Sequence, residues 1–322
     1  MNDSITVSVC MITYNHAKYI EQAINSILSQ QTNFDFELVI GNDCSTDQSD
    51  EIILNIIKNN PLGYKIKYFN HSKNIGMMPN AMHTTNRCIG KYRAICEGDD
   101  YWIDDFKLQK QVDFLEQNPE YVFTFHDCEL LYDATQTKVL KIGNKKIDVI
   151  VNLESVIAQN NIATASILYR KILDYNNLPE WFYTTLKNDY AHLCLLAEKG
   201  LGKYLPDVMS VYRIHENGVW SGKNARYQIQ CNILFLENLY HYFHDYNIRK
   251  AIKNKQKYFL TDEALLLLRE GKLLKGIWQL IVNVNFLKKN ALQTKPKKVF
   301  RAFLTGLSFL IKKSIDSSIK IF

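Results

Sequence analysis

The chain has 322 residues, 47% hydrophobic and 12% aromatic, with a formal net charge of +6. This is ample apolar material for a large core, long for one domain and short for three, and it excludes a disordered chain. No apolar run approaches the ~18 residues that span a bilayer, and the N-terminal Met-Asn-Asp-Ser-Ile-Thr lacks the basic and then apolar regions of a secretion signal.

Thr6 to Thr13 is a nearly continuous apolar run of strand-forming residues, as in a central parallel strand covered on both faces. It breaks at Tyr14-Asn15-His16. Residues 17–30 then carry apolar positions at Ile20, Ala23, Ile24, Ile27 and Leu28, a helical face. Phe36 to Ile40 is a second strand, followed by Gly41-Asn42-Asp43-Cys44-Ser45-Thr46-Asp47 and a second helix, which Ser45 or Thr46 is placed to cap. Tyr64 to Phe69 is a third strand, leaving through Asn70-His-Ser-Lys-Asn-Ile-Gly76 into a helix over 77–89.

Tyr92 to Cys96 is a fourth strand. It ends in Glu97-Gly98-Asp99-Asp100-Tyr101-Trp102, where three acids crowd a turn after a buried strand. Like charges so placed repel unless a cation sits among them, and hard divalent ions such as Mg²⁺ or Mn²⁺ take one or two carboxylates plus substrate phosphates. An ordinary acidic surface turn is the other reading of that cluster alone. Strand, loop and helix thus repeat three times before the acids. This implies an α/β domain whose strand carboxyl ends share one edge, the usual ligand edge of such sheets. Neither Gly-x-Gly-x-x-Gly nor Gly-Lys-Ser/Thr follows a strand, so a dinucleotide fold or a P-loop is unsupported.

Beyond the cluster the pattern predicts a helix over 105–117 and strands at 121–126 and 130–132. A β-excursion over 133–150 turns at Gly143-Asn144, and a short helix over 152–159 follows. A strand at 162–169, a helix over 187–199 opening at Asn188-Asp189, and a strand at 207–214 ending in Tyr212-Arg213-Ile214-His215 come next. After residue 221 strand signals vanish, and helices are predicted near 223–245, 249–269, 272–284 and 298–320. The expected organisation is a catalytic domain over 1–221 and a helical region over 222–322. Seven cysteines, scattered, odd in number and never spaced Cys-x-x-Cys, argue against disulfides and zinc and fit free thiols in a reducing cytosol. Residues 271–322 hold eleven Lys and Arg against Asp316, a net of +10, which leaves −4 for residues 1–270. A basic tail suits nucleic acid or an anionic membrane. The apolar residues Val299, Phe300, Phe303, Leu304, Leu307, Leu310, Ile311 and Ile315 form a helical stripe that favours the membrane surface, with packing on the protein or a homodimer contact as the other reading.

Taken together the loops resemble the family 2 inverting glycosyltransferases of GT-A fold, over about residues 5–221. The resemblance rests on Ile12-Thr13-Tyr14-Asn15-His16, Asn42-Asp43-Cys44-Ser45-Thr46-Asp47, Asn74-Ile75-Gly76, Glu97-Gly98-Asp99-Asp100-Tyr101-Trp102, Asn188-Asp189 and Tyr212-Arg213-Ile214-His215, in that order. It implies a Rossmann-like, mostly parallel sheet between helices, with a nucleotide sugar, UDP-linked on family analogy, as donor. Thr13, Tyr14, Asn15, Asn42, Asp43, Asn74, Gly76, Glu97 and Asp100 would bind that donor. Glu97-Gly98-Asp99 stands where the family has Asp-x-Asp, so Asp99 would bind Mn²⁺ or Mg²⁺ and Glu97, one methylene longer, would face the ribose. His215 matches an additional metal ligand of some relatives. Asp189 matches the general base, although an acid there also complements a helix dipole. Such a site would neutralise the leaving diphosphate, deprotonate an acceptor hydroxyl and invert the anomeric carbon.

The acceptor implied is a saccharide or a lipid-linked one in surface polysaccharide synthesis, with the protein cytoplasmic or peripheral on the inner membrane face and no nucleic acid involved. His126-Asp127 is a weaker candidate for acceptor contact, and Trp102, Trp181 and above all Trp220 are candidate sugar platforms. Alternatives are a catalytically dead sugar-binding homologue, which should have lost Asp99 or Asp189, and a nucleotidyltransferase, which needs a Gly-rich basic loop after the first strand.

Overall fold

The computed structural model describes residues 5–143, 150–159, 161–216, 218, 220 and 222–282. The chain divides into two compact units, Met1–Ser221 and Gly222–Phe322.

The first unit begins with β1 (Val7–Thr13), α1 (Ile20–Leu28), β2 (Phe36–Asn42), α2 (Ser49–Asn59), β3 (Ile66–Asn70), α3 (Met77–Thr85) and β4 (Tyr92–Ile95). It continues with β5 (Tyr101–Trp102), α4 (Lys107–Gln117), β6 (Tyr121–Tyr132), β7 (Thr137–Leu140), β8 (Ile150–Val151) and α5 (Leu153–Ala158). β9 (Leu168–Arg170), α6 (Glu180–Thr184), α7 (Asn188–Lys199) and β10 (Leu201–Ile214) complete it. The strands share one sheet in the order β3-β2-β1-β4-β9-β6-β10-β5, with β7 beside β6 and β8 beside β10. From β3 to β4 every pairing is parallel. β9 then runs antiparallel between β4 and β6, and β10 lies parallel to β6. This is an α/β sheet of GT-A type, parallel in its first half and mixed in its second.

β1 and β2 carry almost no exposed residue because helices cover both faces, which is why they read as unbroken apolar runs. Ile20, Ala23, Ile24, Ile27 and Leu28 of α1 pack with Val7, Val9 and Met11 of β1 and with Leu108, Val112 and Leu115 of α4. Burial of this kind contributes roughly 1.5–3 kcal/mol for each large side chain. Three sequence expectations need correction. The two strands predicted at 121–126 and 130–132 are one, β6, because the polar His126 and Asp127 lie in it and are buried. The strand expected over 162–169 is reduced to β9, after a 3₁₀ turn at Thr164–Ser166. Ser45 does not cap the second helix: α2 begins at Ser49, whose N–H donates to Asp47 Oδ1 at 3.0 Å.

The second unit holds α8 (Ala225–Tyr242), α9 (Tyr246–Arg269) and α10 (Leu273–Val282). Asn224 and Asp245 cap the first two of these, accepting from Tyr227 N and Ile248 N at 2.9 Å each. Gly271, at φ 78°, turns the chain from α9 into α10 in the left-handed region glycine tolerates. Leu265, Leu268 and Leu273 pack between these two helices. Among the described residues no helix is long and apolar enough to cross a membrane. The stripe at 299–315 lies outside the described residues.

Candidate active site

The loops that follow β1, β2, β3 and β4 are tied to one another by side chains. Asn15 adopts φ 57°, a conformation Asn accepts more readily than most residues. Its N–H donates to Ser45 Oγ at 2.9 Å, and its Oδ1 accepts from Thr46 N at 2.8 Å. His16 N donates to Ser49 Oγ at 3.0 Å and Ala17 N to Asp47 Oδ2 at 2.9 Å, which fixes the start of α1. Asp43 accepts from the backbone N–H groups of Ile75 at 2.7 Å and Gly76 at 2.9 Å, and Asn74 Oδ1 accepts from Gly76 N at 3.1 Å. Gly76 sits at φ 93°, which a side chain would strain.

Asn42 departs from the donor-binding expectation. It is fully buried, its Nδ2 donates to the Tyr68 hydroxyl at 2.8 Å and its Oδ1 accepts from Ser45 Oγ at 2.6 Å, so it frames the loop. Tyr14, 42% exposed, and Asn74 remain on the surface of this edge. Thr13 Oγ1 is buried with no hydrogen-bond partner among the described residues.

The turn after β4 lies against this frame. A Cβ on Gly98 would stand 2.8 Å from Thr13 Oγ1 and 2.9 Å from His16 Nδ1, so only glycine lets the turn approach so closely. Asp99 Oδ2 is 3.0 Å from His215 Nε2 and 3.8 Å from His16 Nε2. Burial raises the Asp99 carboxyl, but the hydrogen bond from His215 and the nearness of His16 outweigh it and hold the group below the usual range. Burial also pushes the His16 imidazole down, against the pull of Asp99. Glu97 is pushed up to about 8, by burial first and then by the charges of Asp99 and Asp189.

Asp189, exposed in the first turn of α7, is near enough for its charge to raise the Glu97 carboxyl. Asp100 is a second correction. It is 1% exposed, its Oδ1 accepts from Arg213 N at 2.9 Å, and burial raises its carboxyl well above the ordinary range, so it braces the turn from inside instead of facing a donor.

Asp99 and His215, with His16 beside them, offer one carboxylate and imidazole nitrogens, a set that suits Mn²⁺ better than the oxygen-preferring Mg²⁺, with phosphate and water oxygens to complete it. Among the described residues no group of three or more His, Cys, Asp and Glu side chains is placed to hold a metal ion, so the Asp99–His215 pair is the most the protein offers here. His16 stands in the first loop, and nothing in its spacing signals that it meets Asp99 across the sheet edge. Tyr212 was missed in the same way, and burial and the charges of Asp100, Glu97, Asp99 and Asp189 raise its hydroxyl strongly.

The remaining candidates fall away from the site or stand at its rim. Asp127 accepts from Cys128 N at 2.8 Å, Ile142 N at 2.9 Å and Gly143 N at 2.7 Å, and His126 is buried beside it, so the pair is structural. Trp102 is a core residue, its Nε1 donating to Ala165 O at 3.0 Å. Trp181 packs edge-on against Phe182. Lys187 Nζ lies 3.6 Å from the centroid of the Trp220 ring, joining the segment after β10 to the residue before Asn188.

The family model described as Glycosyl transferase family 2 matches residues 8–173. A Mycobacterium tuberculosis protein described as uncharacterized is 32% identical over 215 residues, 66% of this chain and 60% of its own length. The chain thus spans about three fifths of the first relatives it matches. Among solved structures, S. aureus TarS 1-349 in complex with UDP-GlcNAc aligns at TM-score 0.57 with 18% identity, covering 80% of this chain and 72% of that one. The mannosyltransferase PcManGT from Pyrobaculum calidifontis, in complex with GDP-Man and Mn²⁺, aligns at 0.59 with 14% identity over 96% of this chain and 86% of its own. At these identities the two structures establish the fold.

Proposed function

From the premise that the chain belongs to glycosyl transferase family 2, we propose that it moves a sugar from a nucleotide diphosphate sugar to an acceptor hydroxyl, inverting the anomeric carbon. The observation that carries this reading is the convergence of Asp99 and His215, 3.0 Å apart, with Asp189 electrostatically coupled to Glu97 of the same turn. The nucleoside would lie against Thr13, Tyr14, Asn15, Asp43, Asn74 and Gly76, with Glu97 toward the ribose. A uridine nucleotide is favoured by the TarS likeness and Mn²⁺ by the mannosyltransferase.

Asp99 and His215, with His16 beside them, would hold the divalent ion. The ion supplies charge neutralisation at the leaving diphosphate without proton transfer. Burial and the neighbouring charges of Asp99 and Asp189 raise the Glu97 carboxyl, which would face a ribose hydroxyl. Asp189, exposed at the start of α7, takes the acceptor proton as the hydroxyl attacks from the face opposite the diphosphate. An α-linked donor then gives a β-glycoside.

The acceptor is a saccharide or lipid-linked saccharide of surface glycan synthesis, and the basic segment after residue 282 holds the protein at an anionic membrane surface or in a homodimer. The test is nucleoside diphosphate release from UDP- and GDP-linked sugars with Mn²⁺ and an acceptor extract. Wild type should turn over one donor, and Asp189→Asn should lose ~10²–10⁴-fold in kcat while still binding it. Binding of a donor without release by wild type would favour the inactive sugar-binding homologue.

A further inference from the structure

Arg213 meets the acidic turn from behind. It is 7% exposed, and its backbone N–H donates to Asp100 Oδ1 at 2.9 Å. One arm of its guanidinium, Nη1, donates to the backbone carbonyl of Asp99, and the other, Nη2, to Gln22 Oε1 on α1. Two aromatic rings lie beside it, with Cζ 4.9 Å from the centroid of Tyr19 and 4.4 Å from that of Tyr101. Tyr19 is itself held, its hydroxyl donating to Asp133 Oδ2 at 2.9 Å, and the same ring lies 5.1 Å from the ring of His215. His215 follows Arg213 by two residues, the spacing that returns a strand's side chains to one face.

We propose that Arg213 is the positioning residue of the metal site. Its fork, held beside the rings of Tyr19 and Tyr101, bolts the Glu97–Asp100 turn to the end of β10 and so brings Asp99 and His215 together before any ion arrives. The inference rests on the reading of Asp99 and His215 as metal ligands. The backbone bond from Asp100 N to Glu97 O at 3.1 Å closes the turn on itself, and the bonds of Arg213 to Asp100 and Asp99 tie that turn to β10. Arginine supplies a fixed positive plane that reaches two acceptors at once and stacks on aromatic rings. Lysine carries the same charge but has neither the fork nor the plane.

The test is Mn²⁺ titration of the full-length protein by electron paramagnetic resonance in the presence of uridine diphosphate, with wild type, Arg213→Lys, Gln22→Ala and Asp99→Asn. Arg213→Lys should weaken Mn²⁺ affinity by about ten- to a hundredfold, the scale of losses when a metal ligand's support is removed. Part of its kcat should return at saturating Mn²⁺, and its affinity for uridine diphosphate in EDTA should match wild type. Gln22 is exposed on α1, so Gln22→Ala should fold and weaken Mn²⁺ binding in the same direction by a smaller factor; it decides the matter if Arg213→Lys does not fold. Wild-type Mn²⁺ affinity in both variants, alongside loss in Asp99→Asn, overturns the role of Arg213 alone. No Mn²⁺ binding by wild type, or undiminished binding by Asp99→Asn, overturns the metal reading and the role of Arg213 with it.

Discussion

The carboxylate of Asp43 accepts the backbone N–H groups of both Ile75 and Gly76, so the loop after β2 shapes the loop after β3. A carboxylate is all acceptor, whereas an amide would turn a donor toward one of those N–H groups. Asp43→Asn should therefore lower stability by about 1–3 kcal/mol, the cost of a buried unsatisfied group, and weaken nucleotide binding. Chemical denaturation and uridine diphosphate titration check this; an unchanged variant in both would mean that the loop is held in some other way.

Gly98 is packed against Thr13 and His16 with no room for a methyl group. Gly98→Ala should cost about 1–3 kcal/mol through overpacking and should displace Asp99, weakening Mn²⁺ binding as well. Thermal unfolding and Mn²⁺ titration together check it. A variant with lower stability and intact Mn²⁺ affinity would place the displacement away from Asp99.

Lys107 is fully buried. Its Nζ donates to Gln111 Oε1 at 2.7 Å and stands 4.0 Å from the Trp102 ring centroid, and burial lowers it to about 7. The unfolded chain, with an ordinary lysine, binds a proton more tightly than the fold between about pH 7 and 10.5. The stability of wild type should thus rise with pH across that window, by at most ~1.4 kcal/mol per unit for one proton. Lys107→Met should lose that slope, so that wild type gains stability relative to the variant as pH rises from 7 to 10. Denaturation midpoints at pH 7 and 9.5 that move in parallel for both proteins would contradict it.

Much of the first half was legible because β1 and β2 are covered on both faces and each loop is polar. Thr6 to Thr13, Phe36 to Ile40 and the acids after Tyr92 could be read from local pattern alone. What stayed hidden depends on pairing at long range. β9 enters between β4 and β6 through only three residues, too few for a period to show. Asn42 and Asp100 carry the polar atoms expected of ligand contacts, yet both are buried, with Tyr68 and Ser45 on the Asn42 amide and Arg213 on Asp100 Oδ1. The bond of Arg213 to Asp99 spans 114 residues and involves a backbone carbonyl, which no sequence motif records.

The basic segment gives a separate prediction. Several Lys and Arg near an anionic surface contribute on the order of 1 kcal/mol each and are screened by salt. Full-length protein should float with anionic liposomes at low salt and sink at high salt, and a protein truncated after Thr294 should not float. Equal flotation of both, or none at low salt, would rule out the tail as a membrane anchor and leave packing on the protein or a homodimer contact.

The most direct test of the account is nucleoside diphosphate release by wild type and Asp99→Asn, each with Mn²⁺ and each in excess EDTA. The account predicts release by wild type that requires Mn²⁺ and is abolished in EDTA, with Asp99→Asn folded and inactive in both. Undiminished release by Asp99→Asn in EDTA would contradict it.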